Sequence, residues 1–198
     1  MGYVKEDRGL EGRHFDLVAL TTEFTIGLII SSYRGIPLYL ENQKNKFWQH
    51  SQQQTLSGKT VAVIGNGHIG KRMPAIKYIC PRTNVINFSK TGSPGSLTMD
   101  KFYDNIEKYD VIVVLVPLDD STKNMINKNV LSRMKDGSLL VNMSKGPIVN
   151  TNDLIEELNQ NRIFAALDQV DPDPLPPEHP LWDCPNLIIT PHVGSNAR

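Results

Sequence analysis

The chain has 198 residues, 39% hydrophobic and 21% charged, which suits one large globular domain, or one domain plus part of another, and is too apolar for a disordered chain. Twenty-one Lys and Arg balance twenty-one Asp and Glu, so the basic excess of a nucleic-acid binder is missing. Two cysteines, Cys80 and Cys184, are too few for a disulfide scaffold and fit a reducing, cytoplasmic compartment; together with five scattered histidines they show no metal-ligand spacing.

The first segment, MGYVKEDRGLEG, is polar and lacks the apolar core of a secretory signal. Leu17 to Leu40 is the most apolar stretch, but Glu23, Arg34 and Pro37 interrupt it, so it reads as a buried helix rather than a membrane span. Within it, residues 21–44 predict a long helix that Pro37 should kink or interrupt. Residues 44–57 predict a polar arm bearing Phe47 and Trp48. From Thr60 onward, short apolar runs at 60–64, 84–88, 111–116, 138–143, 164–170 and 187–190 predict strands covered on both faces. Helices are predicted between them at 69–79, 99–107, 127–134 and 151–159, the last capped by Thr151 or Asn152. Residues 172–191 hold seven of the thirteen prolines and read as an ordered surface loop. The alternation implies parallel βαβ units: an α/β fold built on a doubly wound parallel sheet.

Gly65-Asn66-Gly67-His68-Ile69-Gly70 follows the first strand and opens a predicted helix, the context a dinucleotide fingerprint requires. Gly65 permits the tight turn, Gly67 lets the backbone approach a pyrophosphate, and Gly70 allows close helix–strand packing. His68 and Ile69 belong to the same cofactor loop, with His68 read as facing solvent. Pro74 is awkward inside the following helix. An NAD site places an acid about 20 residues on. Here the second strand ends in Ser89, Lys90 and Thr91, whose hydroxyls and cation suit a 2′-phosphate. NADP is therefore the expected cofactor, with NAD the alternative if Lys90 is simply exposed.

Several long blocks resemble the D-isomer-specific 2-hydroxyacid dehydrogenases. They are VAVIGNGHIG, Val116-Pro117-Leu118 with Thr122 and Ile126, LSRMKDGSLLVNMSKGPIVN, AALDQVDPDPLPPEHPLW and NLIITPHVGS, together spanning about residues 56–195. The resemblance implies a Rossmann-like cofactor domain and hydride exchange between a nicotinamide cofactor and a small 2-keto or D-2-hydroxy acid. It implies His192 of the TPH block as proton donor. It puts Lys145 where the family has a substrate-binding arginine, and Asp173 where a glutamate supports the histidine. Lysine keeps the charge but loses the planar two-pronged grip, and aspartate is one carbon shorter, so a longer contact with His192 is expected. Asp168 matches the aspartate that contacts the nicotinamide carboxamide. Val116, Pro117, Met143 and Gly194 fall in cofactor-lining blocks. Outside this context His192 reads as an ordinary loop histidine and Lys145 as a solvated one.

Family members usually carry about a hundred residues of substrate lobe before the cofactor domain, whereas here the glycine loop arrives at residue 65. The expectation is a substrate-lobe remnant over 1–16 and a cofactor domain with its inter-domain helix over 17–198. A homodimer through that domain is expected, with no membrane or nucleic-acid partner. The competing reading is an NAD(P)-binding sensor or interaction module without turnover.

Overall fold

The computed structural model describes residues 10–196, with side chains from residue 17. Helix α1 (Leu10–Tyr33) runs across the boundary expected at 16/17, and residues 1–9 of the expected remnant lie outside the described residues. The long helix does break, but at Gly35 (φ +63) rather than at Pro37. Glycine takes the left-handed position that ends a helix. Pro37 sits in the first turn of α2 (Ile36–Lys44), where its missing N–H costs nothing.

Thr21, Thr22, Thr25 and Ser32 each donate a side-chain hydroxyl to the carbonyl four residues earlier. Four polar side chains can thus lie on a helix packed against a sheet without stranded donors. The arm after α2 has no regular structure up to residue 59, and Phe47 and Trp48 stay exposed on it.

The sheet has seven parallel strands in the order β3-β2-β1-β4-β5-β6-β7. They are β1 (Thr60–Ile64), β2 (Asn84–Ser89), β3 (Leu97–Thr98), β4 (Val111–Val114), β5 (Leu139–Asn142), β6 (Phe164–Leu167) and β7 (Leu187–Ile189). All six predicted strands are present, and β3 is an addition too short to leave a pattern. Side chains alternate between two cores. Val61, Val63, Val111, Val113, Leu139 and Val141 pack under Ile26, Leu28 and Ile29 of α1 with Met73 and Ile76. Ala62, Ile64, Ile112, Val114 and Leu140 face Phe102, Val130, Leu131, Leu154 and Leu158. Each such side chain fully buried is worth about 1.5–3 kcal/mol, so neither face can be left uncovered.

The helices are shorter than their apolar patterns. The 69–79 helix is a 3₁₀ segment at Gly70–Ala75 followed by one α-turn, α3 (Ile76–Ile79). Pro74 offers no N–H and its ring crowds the preceding turn, so a regular α-helix cannot pass it. The 99–107 helix divides into α4 (Met99–Tyr103) and a 3₁₀ turn at Ile106–Lys108. Helix α5 (Lys128–Leu131) occupies half of 127–134. Helix α6 (Thr151–Asn159) matches its pattern, but its cap is Asn150, whose side chain accepts from the Asp153 N–H, not Thr151 or Asn152. The proline-rich stretch is a loop with a 3₁₀ turn at Pro180–Asp183, followed by β7 within its last residues.

The N-terminal ends of the strands are tied by Asp110, which accepts from the Thr60 N–H at 2.9 Å and pairs with Lys135 at 2.7 Å and Lys59 at 3.4 Å. Tyr33 of α1 donates its phenol to the Asp110 carbonyl at 3.2 Å.

Candidate cofactor and active site

Because every strand runs the same way, the loops that follow β1, β2, β4, β5, β6 and β7 emerge along one edge. The strand order turns around between β1 and β4, and ligands of such sheets bind in the crevice beyond the strand ends there. Each predicted site residue lies on this edge.

Gly65 follows β1 with φ +120, and a Cβ there would stand 2.3 Å from the Leu115 carbonyl oxygen. A Cβ on Gly70 would stand 2.1 Å from the Gly65 oxygen. Both positions therefore need glycine for the backbone to close. Gly67 differs: a Cβ there meets nothing within 4 Å. The loop is built around open space at Gly67, which is what close approach by a pyrophosphate needs. His68 is exposed and Ile69 half-buried beside it. The short 3₁₀ segment after the loop aligns fewer peptide dipoles than the expected helix, so its field on a phosphate is weaker.

Past β2 the structure adds residues that sequence reasoning missed. Asn87 donates to the Gly70 carbonyl at 2.8 Å and to Asn66 Oδ1 at 3.3 Å. Asn66 donates to Ser93 Oγ and to the Pro94 carbonyl, both at 3.1 Å. Ser89 accepts from the Ser93 N–H at 3.1 Å, and its hydroxyl lies 2.8 Å from that of Ser96. The 89–96 loop is thus stitched to the glycine loop, with Lys90 and Thr91 exposed on its rim. The run of serines and glycines in TGSPGS was the available signal, since such residues make turns that bond to their own backbone.

The loop after β4 carries Val116, half-buried, and Pro117, exposed. The Val116 N–H donates to Ser144 Oγ at 2.9 Å, tying this loop to the one after β5. There Met143 is buried, and Lys145 is exposed with no ion pair among the described residues. Gly146 follows; a Cβ there would stand 2.0 Å from the Val170 oxygen, so only glycine lets the Lys145 turn pack against the loop after β6.

Asp168, at the end of β6, is 3% exposed. Its Oδ1 accepts from Thr190 Oγ1 at 2.6 Å and from the Val193 N–H at 3.0 Å, and its Oδ2 accepts from the Gly194 N–H at 2.9 Å. The Asp168 carbonyl accepts from the His192 N–H at 2.8 Å. A Cβ on Gly194 would collide with both Met143 Cε and Asp168 Oδ2. Asp173 does reach the catalytic candidate: its Oδ2 lies 3.4 Å from His192 Nδ1, with both side chains about half exposed. The loop's path makes up for the shorter side chain. The edge therefore joins Asp168, Asp173, His192, Met143 and Gly194 in one contact network, and holds the glycine loop and Ser89 in another.

A chain with this sheet, this glycine loop and these sequence blocks has a defined kinship. The profile of the D-isomer specific 2-hydroxyacid dehydrogenase NAD-binding domain matches residues 26–194, and the chain belongs to that family of oxidoreductases as its nicotinamide-cofactor domain. It is 33% identical over 193 residues to the human glyoxylate reductase/hydroxypyruvate reductase, covering 90% of this chain and 58% of the relative. It is 32% identical over 192 residues to a glyoxylate reductase of Thermofilum pendens, covering 90% of this chain and 56% of the relative. The crystal structure of phosphoglycerate dehydrogenase from Lactobacillus plantarum superposes with a TM-score of 0.84 at 27% identity, covering 92% of this chain and 61% of that one. The chain thus spans less than two thirds of the length of these relatives. Among the described residues, no helix is long and apolar enough to cross a membrane, and no three His, Cys, Asp or Glu side chains group as metal ligands.

Proposed function

We propose that this chain is the cofactor half of an enzyme that interconverts 2-keto acids and D-2-hydroxy acids, with NADP preferred over NAD. The observation that carries the reading is the His192–Asp173 contact of 3.4 Å, on the same sheet edge as a glycine loop with open space at Gly67. The residues present fit a dinucleotide: Gly65 and Gly70 close the turn, and Gly67 leaves room for the pyrophosphate. Ser89, Lys90 and Thr91 supply donors and a cation where an acid would repel a 2′-phosphate. The bound cofactor supplies or accepts the hydride at the substrate's C2.

In the reducing direction His192 gives its proton to the carbonyl oxygen as that oxygen gains charge, which yields the hydroxyl. Asp173 orients the ring through its contact with Nδ1. Lys145 attracts the substrate carboxylate as a point charge rather than a planar fork. An exposed pair of that kind contributes about 1 kcal/mol or less. Positioning within a closed cleft supplies about 7–11 kcal/mol. The reading therefore gives the 198-residue chain negligible reductase activity alone and needs a second wall for turnover. The chain forms a homodimer through the 17–40 segment with Phe47 and Trp48, where Leu17, Ile36, Leu38 and Leu40 are exposed, and light scattering tests this by mass.

The test of function has two parts. Calorimetry on the chain should show NADPH binding more tightly than NADH, with Lys90→Asp reversing the order. In a version joined to a substrate lobe, His192→Ala should abolish reduction of glyoxylate or hydroxypyruvate while leaving cofactor affinity nearly unchanged. Turnover that survives His192→Ala overturns the assignment of the proton donor.

A further inference from the structure

We propose that Asp168 and Thr190 form a positioning pair that fixes the backbone of His192, an inference that rests on His192 being the proton donor. His192 has φ +55, a left-handed conformation uncommon outside glycine, though histidine enters it more readily than most side chains. Such a conformation costs about 1–3 kcal/mol and persists only where its surroundings over-determine it. Asp168 supplies that determination. Its carbonyl takes the His192 N–H at 2.8 Å, a bond shared with the Thr190 carbonyl at 3.0 Å, and its carboxylate takes the next two backbone N–H groups, those of Val193 and Gly194. Three consecutive amides thus converge on one residue, as the left-handed turn at His192 allows.

Asp168 is itself fixed. It ends an interior strand, and its own N–H donates to the Asn142 carbonyl at 3.1 Å. Thr190 completes the arrangement from the other side of Pro191. Its N–H donates to the Leu167 carbonyl at 2.9 Å, and its hydroxyl donates to Asp168 Oδ1 at 2.6 Å. The hydroxyl keeps the carboxylate facing the loop instead of turning toward solvent. With the backbone held, the His192 ring is delivered to Asp173. Gly194 must lack a side chain because Asp168 Oδ2 and Met143 Cε occupy that space.

The same bonds limit what else Asp168 can do. Both acceptor sites of Oδ1 are used by Thr190 and Val193, and Oδ2 already accepts from Gly194. A carboxylate oxygen has about two acceptor sites, so one site on Oδ2 is left for any outside donor. The work of Asp168 in the chain as it stands is to hold the histidine.

The experiment is NMR on the isotope-labelled chain and its Thr190→Val and Thr190→Ser variants, which needs no turnover. Valine matches threonine in shape but removes the hydroxyl. The expected result is amide exchange at Val193 and Gly194 faster by about tenfold or more, with loss of the ring contact between His192 and Asp173. The melting temperature should move by no more than about 4 °C, the shift of a single lost hydrogen bond. Serine should restore both the exchange rates and the ring contact. Wild-type exchange and contact in Thr190→Val would overturn the proposal, as would a serine variant that behaves like valine. A His192→Ala two-lobed protein that still turns over would remove the proposed proton donor but leave the positioning pair intact. The two failures are therefore separable.

Discussion

The sheet edge has two halves built on opposite plans. Around β1 and β2 the glycine loop closes tightly at Gly65 and Gly70 but leaves space at Gly67, where a Cβ would meet nothing within 4 Å. Around β5, β6 and β7 the loops are locked together, and a Cβ on Gly146 or Gly194 would meet neighbours at 2.0 Å and 2.5 Å. The first half leaves one glycine, Gly67, clear of its neighbours. The other spends its glycines on bringing Lys145, Asp168 and His192 into fixed relation. Identical residues serve contrary ends, and only their surroundings distinguish them.

The sharpest way to break this contrast is to put side chains on both kinds of glycine. Gly146→Ala forces the Val170 carbonyl to move, and overpacking of this kind costs about 3 kcal/mol. For a chain of this size the melting temperature should fall by about 6–12 °C. Gly67→Val should leave the melting temperature nearly unchanged but weaken NADPH binding about 100-fold, equivalent to ~2.7 kcal/mol. Thermal denaturation and calorimetry on the two variants separate the plans. Equal stability losses in both would show that Gly67 is packed as tightly as Gly146.

The strands were legible in the sequence because each is buried on two faces, which leaves an unbroken apolar run such as Val61–Ile64 or Val111–Val114. The helices were less so. An apolar stripe reports which residues face the core, but not whether the backbone between them is α or 3₁₀, and Pro74 decided that for the glycine-loop segment. His192, Asp173 and the glycines could be named from their motifs. Asp168 could be named from its motif too, but its hydrogen bonds to the Val193 and Gly194 N–H groups could not, because backbone amides carry no residue identity. Ser93 and Ser96 were hidden for a similar reason: their value lies in a turn that folds back on Ser89.

Beneath the locked half lies Arg162, which tests whether rigidity is inherited from the layer below. It pairs with the buried Glu157 at 2.7 Å and Asp136 at 3.0 Å, and donates to the carbonyls of Leu131 and Met134. Hydrogen bonds and charge partners hold its pKa above the ordinary value despite burial. Arg162→Ala strands Glu157 in the core and should cost about 3 kcal/mol, read by urea denaturation. Cofactor affinity should not change.

The opposite, N-terminal edge of the sheet offers an acid-sensitive contrast. Burial pushes the Asp110 carboxyl up, but the hydrogen bond from Lys135, the Thr60 N–H and the charge of Lys59 outweigh it and hold its pKa below the ordinary value. A carboxyl whose pKa is depressed by folding adds stability above its unfolded pKa of about 3.9, and that stability is lost as pH falls through the folded value. Asp110→Asn should cost about 1–3 kcal/mol at pH 7. The gap between wild type and variant should narrow below about pH 4. A gap that stays constant down to pH 2 would mean that the carboxylate charge contributes nothing.

The smallest expected effect comes from the cap that ends the Lys145 loop. Asn150 follows the turn at Gly146–Ile148 and caps α6, its side chain accepting from the Asp153 N–H at 3.1 Å. Asp153 in turn accepts from the Lys128 N–H at 2.8 Å, which joins the starts of α5 and α6. Replacing an asparagine cap with alanine frees one helix N–H and costs about 1 kcal/mol. Asn150→Ala should therefore lower the melting temperature by about 2–4 °C. Because the cap lies beyond Gly146, the packing of that glycine against Val170 should hold Lys145 in place without it. Thermal denaturation reads the cost, and NADPH calorimetry should return the wild-type affinity. If affinity falls along with stability, the locked half and the open half are coupled through α6, and the division of labour between them is weaker than their glycines suggest.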